Sequence, residues 1–139
     1  MFSLEGVASL ERQLGIGKSL SLWGGVGMVW TSADAERSWG GEIAAEVRGY
    51  ARDGFFGPNA GVYLGMALFD SEEEGWHVAI TPGVKVTFSI PTPIGSVLGE
   101  PYLGLSYPLI TEVDGGEWGF RDVPLVTLGF RLVFRDLRT

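Results

Sequence analysis

The chain has no cysteine and only one histidine among its 139 residues. Without cysteine it can form no disulfide, use no thiolate nucleophile and offer no cysteine ligand to zinc. A single imidazole also excludes a metal site built from several histidines. Basic residues are few as well, with 10 Lys and Arg against 17 Asp and Glu, for a net charge of -7. This charge balance argues against a nucleic-acid partner.

Long hydrophobic runs are absent too. Polar residues or glycine interrupt every apolar stretch well before the roughly 18 residues that a membrane-spanning helix needs. Residues 1–12 carry no basic region followed by an apolar core, so no signal peptide is visible, and we expect that one has been removed if the chain is exported. The sequence does not exclude a membrane β-barrel, because the strands of such a barrel need only about 9–11 residues of alternating polarity.

Glycine and apolar residues are abundant, with 22 Gly and a hydrophobic fraction of 45%. Large apolar residues alternate with small or polar ones along seven segments, and this period of two is typical of strands. Pro82 interrupts the longest segment and indicates a bulge or an irregular rim. Because the connections are short and rich in turn residues, we predict an all-β fold, an antiparallel up-and-down meander barrel in a single domain of residues 1–139. The segments are Phe2–Gln13, Ser19–Thr31, Trp39–Arg52, Ala60–Phe69, Trp76–Ile90, Pro101–Leu109 and Val123–Arg135.

The two faces of these strands differ in an unusual way. One face is large and apolar, whereas the other carries Gly, Ala, Ser and Thr together with charges of both signs, including Glu5 and Glu11. Glycine admits bulky neighbours in a crowded interior, and opposite charges can pair where water is scarce. We therefore predict that the apolar face meets lipid and the other face fills a closed or narrow polar lumen.

The predicted lumen charge network is Glu42, Glu46, Arg48, Lys85, Arg131 and Arg135. The predicted lipid-facing residues are Leu22, Val26, Ile43, Val47, Val62, Leu64, Val84, Val86, Leu105, Leu128, Phe130 and Leu132. Trp30, Trp39, Trp76, Trp118 and Phe134 form a predicted aromatic girdle near the strand ends.

Residues 20–28, 61–65, 100–107 and 128–134 carry a family resemblance in their strand pattern. In this pattern the chain resembles the small outer-membrane β-barrel family, the OmpA-type proteins of Gram-negative bacteria. The resemblance implies a transmembrane barrel of eight strands in the bacterial outer membrane, with acidic external loops at Ser32–Ser38, Asp70–Gly75 and Thr111–Gly119. Only seven strands are readable, and five residues follow Phe134. The eighth strand would precede residue 2, lie in a segment whose strand pattern is not readable, or come from a partner protein that supplies or covers a strand edge.

The functional prediction is a non-enzymatic, porin-like outer-membrane protein with a structural or interaction role. Its expected partner is the lipid bilayer or a detergent, and no cofactor, metal or catalytic residue is predicted. Two alternatives remain open. One is a soluble, calycin-like barrel whose apolar ligand would contact Leu64, Met66, Val84, Val86 and Phe130. The other is a barrel-embedded lipid-modifying hydrolase using His77, although no recognisable serine motif lies beside that residue.

Overall fold

The computed structural model confirms the all-β prediction. It describes residues 2–15, 17–30, 37–51, 57–71, 75–93, 97–107, 109–112, 118–120 and 124–136. All of the strands within these ranges belong to one sheet. No helix in this described part of the chain has the length and apolar character to cross a membrane. The strands are β1 (Phe2–Gly15), β2 (Lys18–Trp30), β3 (Arg37–Tyr50), β4 (Gly57–Ser71), β5 (Gly75–Pro91), β6 (Val97–Ser106), β7 (Leu109–Glu112), β8 (Trp118–Phe120) and β9 (Leu125–Asp136).

The sheet closes on itself as a barrel. Neighbouring strands follow the order β4-β3-β2-β1-β9-β6-β5, and a further pairing of β4 with β5 completes the circle. Strands β6 and β7 pair with successive parts of β5, at residues 83–91 and 77–80. Likewise β8 pairs with β7, and β9 pairs with β6. The nine strands therefore occupy seven positions around the barrel.

The seam between β1 and β9 is parallel, with Phe2 opposite Val126 and Arg12 opposite Asp136. Every other strand pair among the described residues is antiparallel. In an up-and-down meander with an odd number of strands, the first and last strands run in the same direction, so only a parallel ladder can join them. The seven-position barrel thus closes without the eighth strand that the family resemblance implied, and the seam needs no strand from a partner.

The irregularity predicted at Pro82 lies on the neighbouring strand. Strand β5 runs through Pro82, while its partner is interrupted between Ser106 of β6 and Leu109 of β7. Proline has no amide hydrogen to donate to a ladder, so the break falls where β5 can accept a hydrogen bond but not donate one. The Pro82 carbonyl accepts a hydrogen bond from the amide of Tyr107 at 3.1 Å.

The barrel has a polar inside and an apolar outside. Among the described residues, 16 polar or charged residues are buried against seven apolar ones, which inverts the usual composition of a protein core. The buried apolar cluster consists of Val7, Trp23, Tyr63 and Tyr102. Large apolar side chains are exposed on the opposite face of the same strands.

Candidate functional site

Two arginines and two glutamates form a closed ring of alternating charge inside the barrel. Arg48 Nη2 lies 2.6 Å from Glu100 Oε2, and Arg131 Nε lies 3.0 Å from Glu100 Oε1. Glu46 Oε1 completes the ring, at 2.6 Å from Arg131 Nη1 and 3.8 Å from Arg48 Nε. All four side chains are fully buried, with 0% exposure. Buried ion pairs of this kind need close geometry and further hydrogen bonds to offset the loss of water.

The ring braces opposite walls of the barrel. Arg48 and Glu46 belong to β3, whereas Glu100 belongs to β6 and Arg131 to β9. Around the closed sheet, β3 is three positions from β6 in one direction and three positions from β9 in the other. The four side chains therefore meet across the lumen and obstruct it.

Further polar residues satisfy the remaining hydrogen-bond donors of the Arg48 guanidinium. Glu11 Oε2 accepts a hydrogen bond from Arg48 Nη1 at 2.7 Å and others from Ser19 Oγ at 2.9 Å and Tyr50 Oη at 2.5 Å. Asn59 Oδ1 accepts hydrogen bonds from Arg48 Nε at 3.2 Å and Nη2 at 2.9 Å. Each nitrogen of the guanidinium thus has an acceptor, which is the condition for burying an arginine without a large penalty.

A second cluster surrounds the ammonium group of Lys85. Its Nζ lies 3.6 Å from the ring centroid of Trp23, 4.1 Å from that of Tyr102 and 5.0 Å from that of Tyr63. Its ionic partner is Glu5, with Oε1 at 3.3 Å, and Tyr102 Oη donates a hydrogen bond to the same carboxylate oxygen. Aromatic faces attract a cation through their quadrupoles, and more strongly when water is excluded. The cluster fills the section of the lumen beside the ring, where Arg131 lies 5.7 Å from the ring centroid of Tyr102.

Inward-facing glycines make room for these bulky side chains. A Cβ atom built at Gly61 would lie 2.5 Å from Glu46 Oε2, and one built at Gly83 would lie 2.6 Å from Tyr63 Cζ. A Cβ atom at Gly129 would overlap the ring of Tyr102. The glycine-rich face predicted from the sequence is therefore a set of notches that receive the large residues of the lumen.

Four of the six residues in the predicted charge network lie in these two clusters, namely Glu46, Arg48, Lys85 and Arg131. Glu42 is half-buried on the same face and accepts a hydrogen bond from Thr81, but forms no ion pair within the described residues. The backbone of Arg135 belongs to β9, and its side chain lies outside the described part of the chain.

The sequence prediction missed Glu100, which contacts both arginines of the ring. The predicted strand began at Pro101, one residue too late. The alternation of Tyr102, Gly104 and Ser106 on the inner face, extended by one step, would have included Glu100. Glu5 and Glu11 were placed on the correct face but were not assigned to the network.

The 12 residues predicted to face lipid all lie on the outer surface, with exposures between 39% and 72%. Trp39 and Phe134 of the predicted girdle are also exposed, whereas the side chains of Trp30, Trp76 and Trp118 lie outside the described residues. The three predicted acidic loops fall largely outside those residues as well.

The residues expected to line the cavity of a soluble, ligand-binding barrel lie on the outer surface and line no interior cavity: Leu64, Met66, Val84, Val86 and Phe130. His77 pairs with Phe69 and Glu112 through the backbone, but its side chain lies outside the described residues. The hydrolase alternative is therefore untested. Among the described residues, no group of three or more His, Asp or Glu side chains is arranged to hold a metal ion.

Two buried polar atoms, Glu46 Oε2 and Trp23 Nε1, have no hydrogen-bond partner within the described residues. Both atoms lie in the packed lumen, since Glu46 is a member of the ring and Trp23 contacts Lys85.

Comparisons of the chain with protein-family models, with curated proteins and with solved structures found no match. The resemblance to the OmpA-type family therefore stays a prediction, and functional inference rests on the geometry of the barrel.

Proposed function

We propose that this chain is an integral β-barrel protein of a bacterial outer membrane, with a closed polar lumen and a structural or interaction role rather than an enzymatic one. The observation that carries the proposal is the inverted distribution of side chains, with charged side chains inside the barrel and apolar side chains on its outer surface. In water such an exterior would be costly, because soluble monomers rarely expose contiguous apolar patches larger than a few hundred Å². In a bilayer the same exterior is matched to its surroundings.

The apolar surface encircles the barrel, which favours lipid over a protein partner. Each of the seven strand positions contributes at least one exposed large apolar side chain. A protein partner docks on one side, whereas a bilayer surrounds the whole circumference. Closure of the sheet also pairs the backbone groups of the strands, as the hydrocarbon region requires. Representative exposed residues, one for each position, are Leu10, Val26, Ile43, Leu64, Val86, Leu103 and Phe130.

The brace across the lumen supports a closed barrel. The ring of Arg48, Glu46, Glu100 and Arg131 has no exposed side chain, and the caged Lys85 adds a second obstruction. We expect no steady large current when the protein is reconstituted in a planar bilayer. Persistent conductance of the kind that water-filled porins give would contradict the closed lumen while leaving the membrane assignment intact.

Quenching by brominated lipid tests the membrane assignment. Trp39 is 63% exposed on the outer surface, whereas Trp23 is 3% exposed within the lumen. In two variants that each keep one of these tryptophans and carry Phe in place of the others, bromine atoms on the acyl chains should quench Trp39 strongly and Trp23 weakly. Circular dichroism establishes that both variants retain their strands. A chain that stays monodisperse without detergent and shows no quenching of Trp39 would overturn the proposal.

A further inference from the structure

Two cations lie side by side on the outer surface, near the hairpin that joins β1 to β2. Arg12 and Lys18 are both exposed and both belong to the outward-facing register. Arg12 pairs with Leu20 through the backbone, and Lys18 is the next outward-facing residue of β2 beyond Leu20. Cross-strand neighbours on this diagonal have Cβ atoms about 7–8 Å apart or less, which long side chains can span. Within the described residues, neither side chain forms an ion pair or a hydrogen bond.

An apolar groove of about 820 Å³ crosses this face around the barrel, and its lining extends from Phe134 of β9 through β1, β2 and β3 to β4 and Ile80 of β5. Its floor contains Ala8, Gly24 and Ala45, and Ala8 pairs directly with Gly24. Because these residues are small, the larger side chains around them form walls. The walls include Leu10, Leu22 and Ile43.

The groove and the cations are continuous along the strands. The outward positions of β1 run from Ala8 through Leu10 to Arg12, and Gly24 of β2 lies beside Ala8. Four residues of strand separate Arg12 from Ala8 on the floor of the groove, which is about 13 Å between their Cα atoms. That separation matches a molecule with an anionic head at the membrane surface and a hydrocarbon chain reaching toward the membrane centre.

From this arrangement we propose that the outer face of β1, β2 and β3 binds an anionic phospholipid. Its phosphate contacts Arg12 and Lys18, and an acyl chain lies in the groove. The inference rests on the proposed membrane function. Arginine presents a fork of donors that suits phosphate oxygens, and cations at the surface of a membrane attract acidic lipids. A zwitterionic lipid would bring its own ammonium group to the same place and would be bound less tightly.

Charge complementarity favours this occupant over a second copy of the chain. In a two-fold dimer the same patch meets itself, so Arg12 and Lys18 of both copies would approach one another. The described outward-facing residues of β1, β2 and β3 include no carboxylate, but Asp136 of β9 lies opposite Arg12 across the seam, so each copy keeps an excess of one positive charge here. Lipid phosphate can balance that excess, whereas a second copy would double it.

Native mass spectrometry tests the site directly. The wild-type protein is released from detergent micelles that contain equal amounts of phosphatidylglycerol and phosphatidylcholine of identical acyl chains. We expect one retained phosphatidylglycerol, preferred at least tenfold over phosphatidylcholine. In Arg12→Gln/Lys18→Gln the preference should be lost, because each of the two charges contributes about fivefold to it. Equal retention of the two lipids by the wild-type protein would overturn the proposal, as would a dimer without lipid.

Matched variants separate the two parts of the site. Ala45→Leu fills the groove and should reduce the retention of both lipids severalfold, whereas Ala60→Leu, at an exposed alanine outside the groove, should not. Arg37→Gln removes the same charge as Arg12→Gln from the opposite end of the barrel and should leave the lipid preference unchanged. Equal effects of the paired variants would contradict a localised site. Insertion into vesicles is measured in parallel: a chain that inserts but shows no lipid preference refutes the lipid site alone, whereas failure to insert into any vesicle refutes the membrane function.

Discussion

The ring of Tyr102 lies directly over Gly129, in the space that a Cβ atom at position 129 would occupy. The two residues are partners in the β6–β9 ladder and both face the lumen. Tyr102 reaches Glu5 and the ammonium group of Lys85 from this position. The absence of a side chain on one strand thus determines where a large side chain of the next strand can lie.

Replacement of Gly129 by alanine should destabilise the barrel. The added methyl group would collide with the Tyr102 ring and displace it from Lys85, and overpacking of this kind costs about 1–3 kcal/mol. Urea titration in detergent micelles measures the loss in free energy of unfolding. Gly6→Ala is the matched control, because nothing lies within 4 Å of a Cβ atom there, and it should change stability by less than about 0.5 kcal/mol. Similar losses in both variants would show that the notch is not the cause.

Replacement of Arg131 by methionine should lower the free energy of unfolding, measured by urea titration in detergent micelles, by about 3–5 kcal/mol, because the buried carboxylate of Glu46 loses its partner at 2.6 Å. Glu46 would keep only the 3.8 Å contact with Arg48. The double variant Arg131→Met/Glu46→Gln should therefore lose less stability than the two single variants added together. Arg12→Met, at an exposed arginine, serves as the control and should be nearly neutral in detergent free of phospholipid, where the proposed lipid site is empty. Strictly additive losses in the double variant would rule out the coupling that the ring requires.

The caged ammonium group should be coupled energetically to the tryptophan beneath it. A double-mutant cycle of Lys85→Met and Trp23→Leu should give a coupling free energy of about 1–2 kcal/mol, since the pair is desolvated. The same cycle with Trp39→Leu, at an outward-facing tryptophan, should give a value near zero. Equal coupling in both cycles would mean that Lys85 acts on stability in some way other than through the cage.

An arginine on the outer face should be costly in proportion to its depth in the bilayer. Leu64→Arg, near the middle of β4, should lose about 2–4 kcal/mol in vesicles, and Pro58→Arg, near the end of the strand, about 0–1 kcal/mol. Both side chains are exposed, so a barrel surrounded by water would tolerate either change within about 0.5 kcal/mol. Unfolding measured in vesicles therefore distinguishes the two environments, and equal small losses would speak against lipid contact.

The strands and their two faces were predictable because a period of two is a local property of the sequence. The alternation around Val47, Arg48 and Gly49 identifies the inner face without knowledge of any other strand. The partners of Arg48 were not predictable in the same way. Arg48 and Glu100, for example, are 52 residues apart, and their meeting depends on strand register and on the curvature of the closed sheet. Parity specifies that both face inward but not that they meet.

The number of strands likewise depends partly on the local sequence pattern and partly on the whole sheet. Seven segments were readable from the local pattern, and the structure has seven strand positions. The eighth strand was expected only because the family resemblance implied it. Whether the ends of a meander join through a parallel or an antiparallel ladder is a property of the whole sheet, and the residues of β1 and β9 carry no local signal for it.

The parallel seam makes circular permutation of this barrel unusually demanding. Phe2 and Asp136 mark opposite ends of the β1–β9 ladder, so a linker joining them must run the length of that seam. Ten residue steps separate Phe2 from Arg12, the partner of Asp136, which corresponds to about 33 Å of strand. A linker of that length is itself long enough to form a strand. Inserted between β1 and β9, it would be antiparallel to both, and joining the two ends would convert a barrel of seven strands into one of eight.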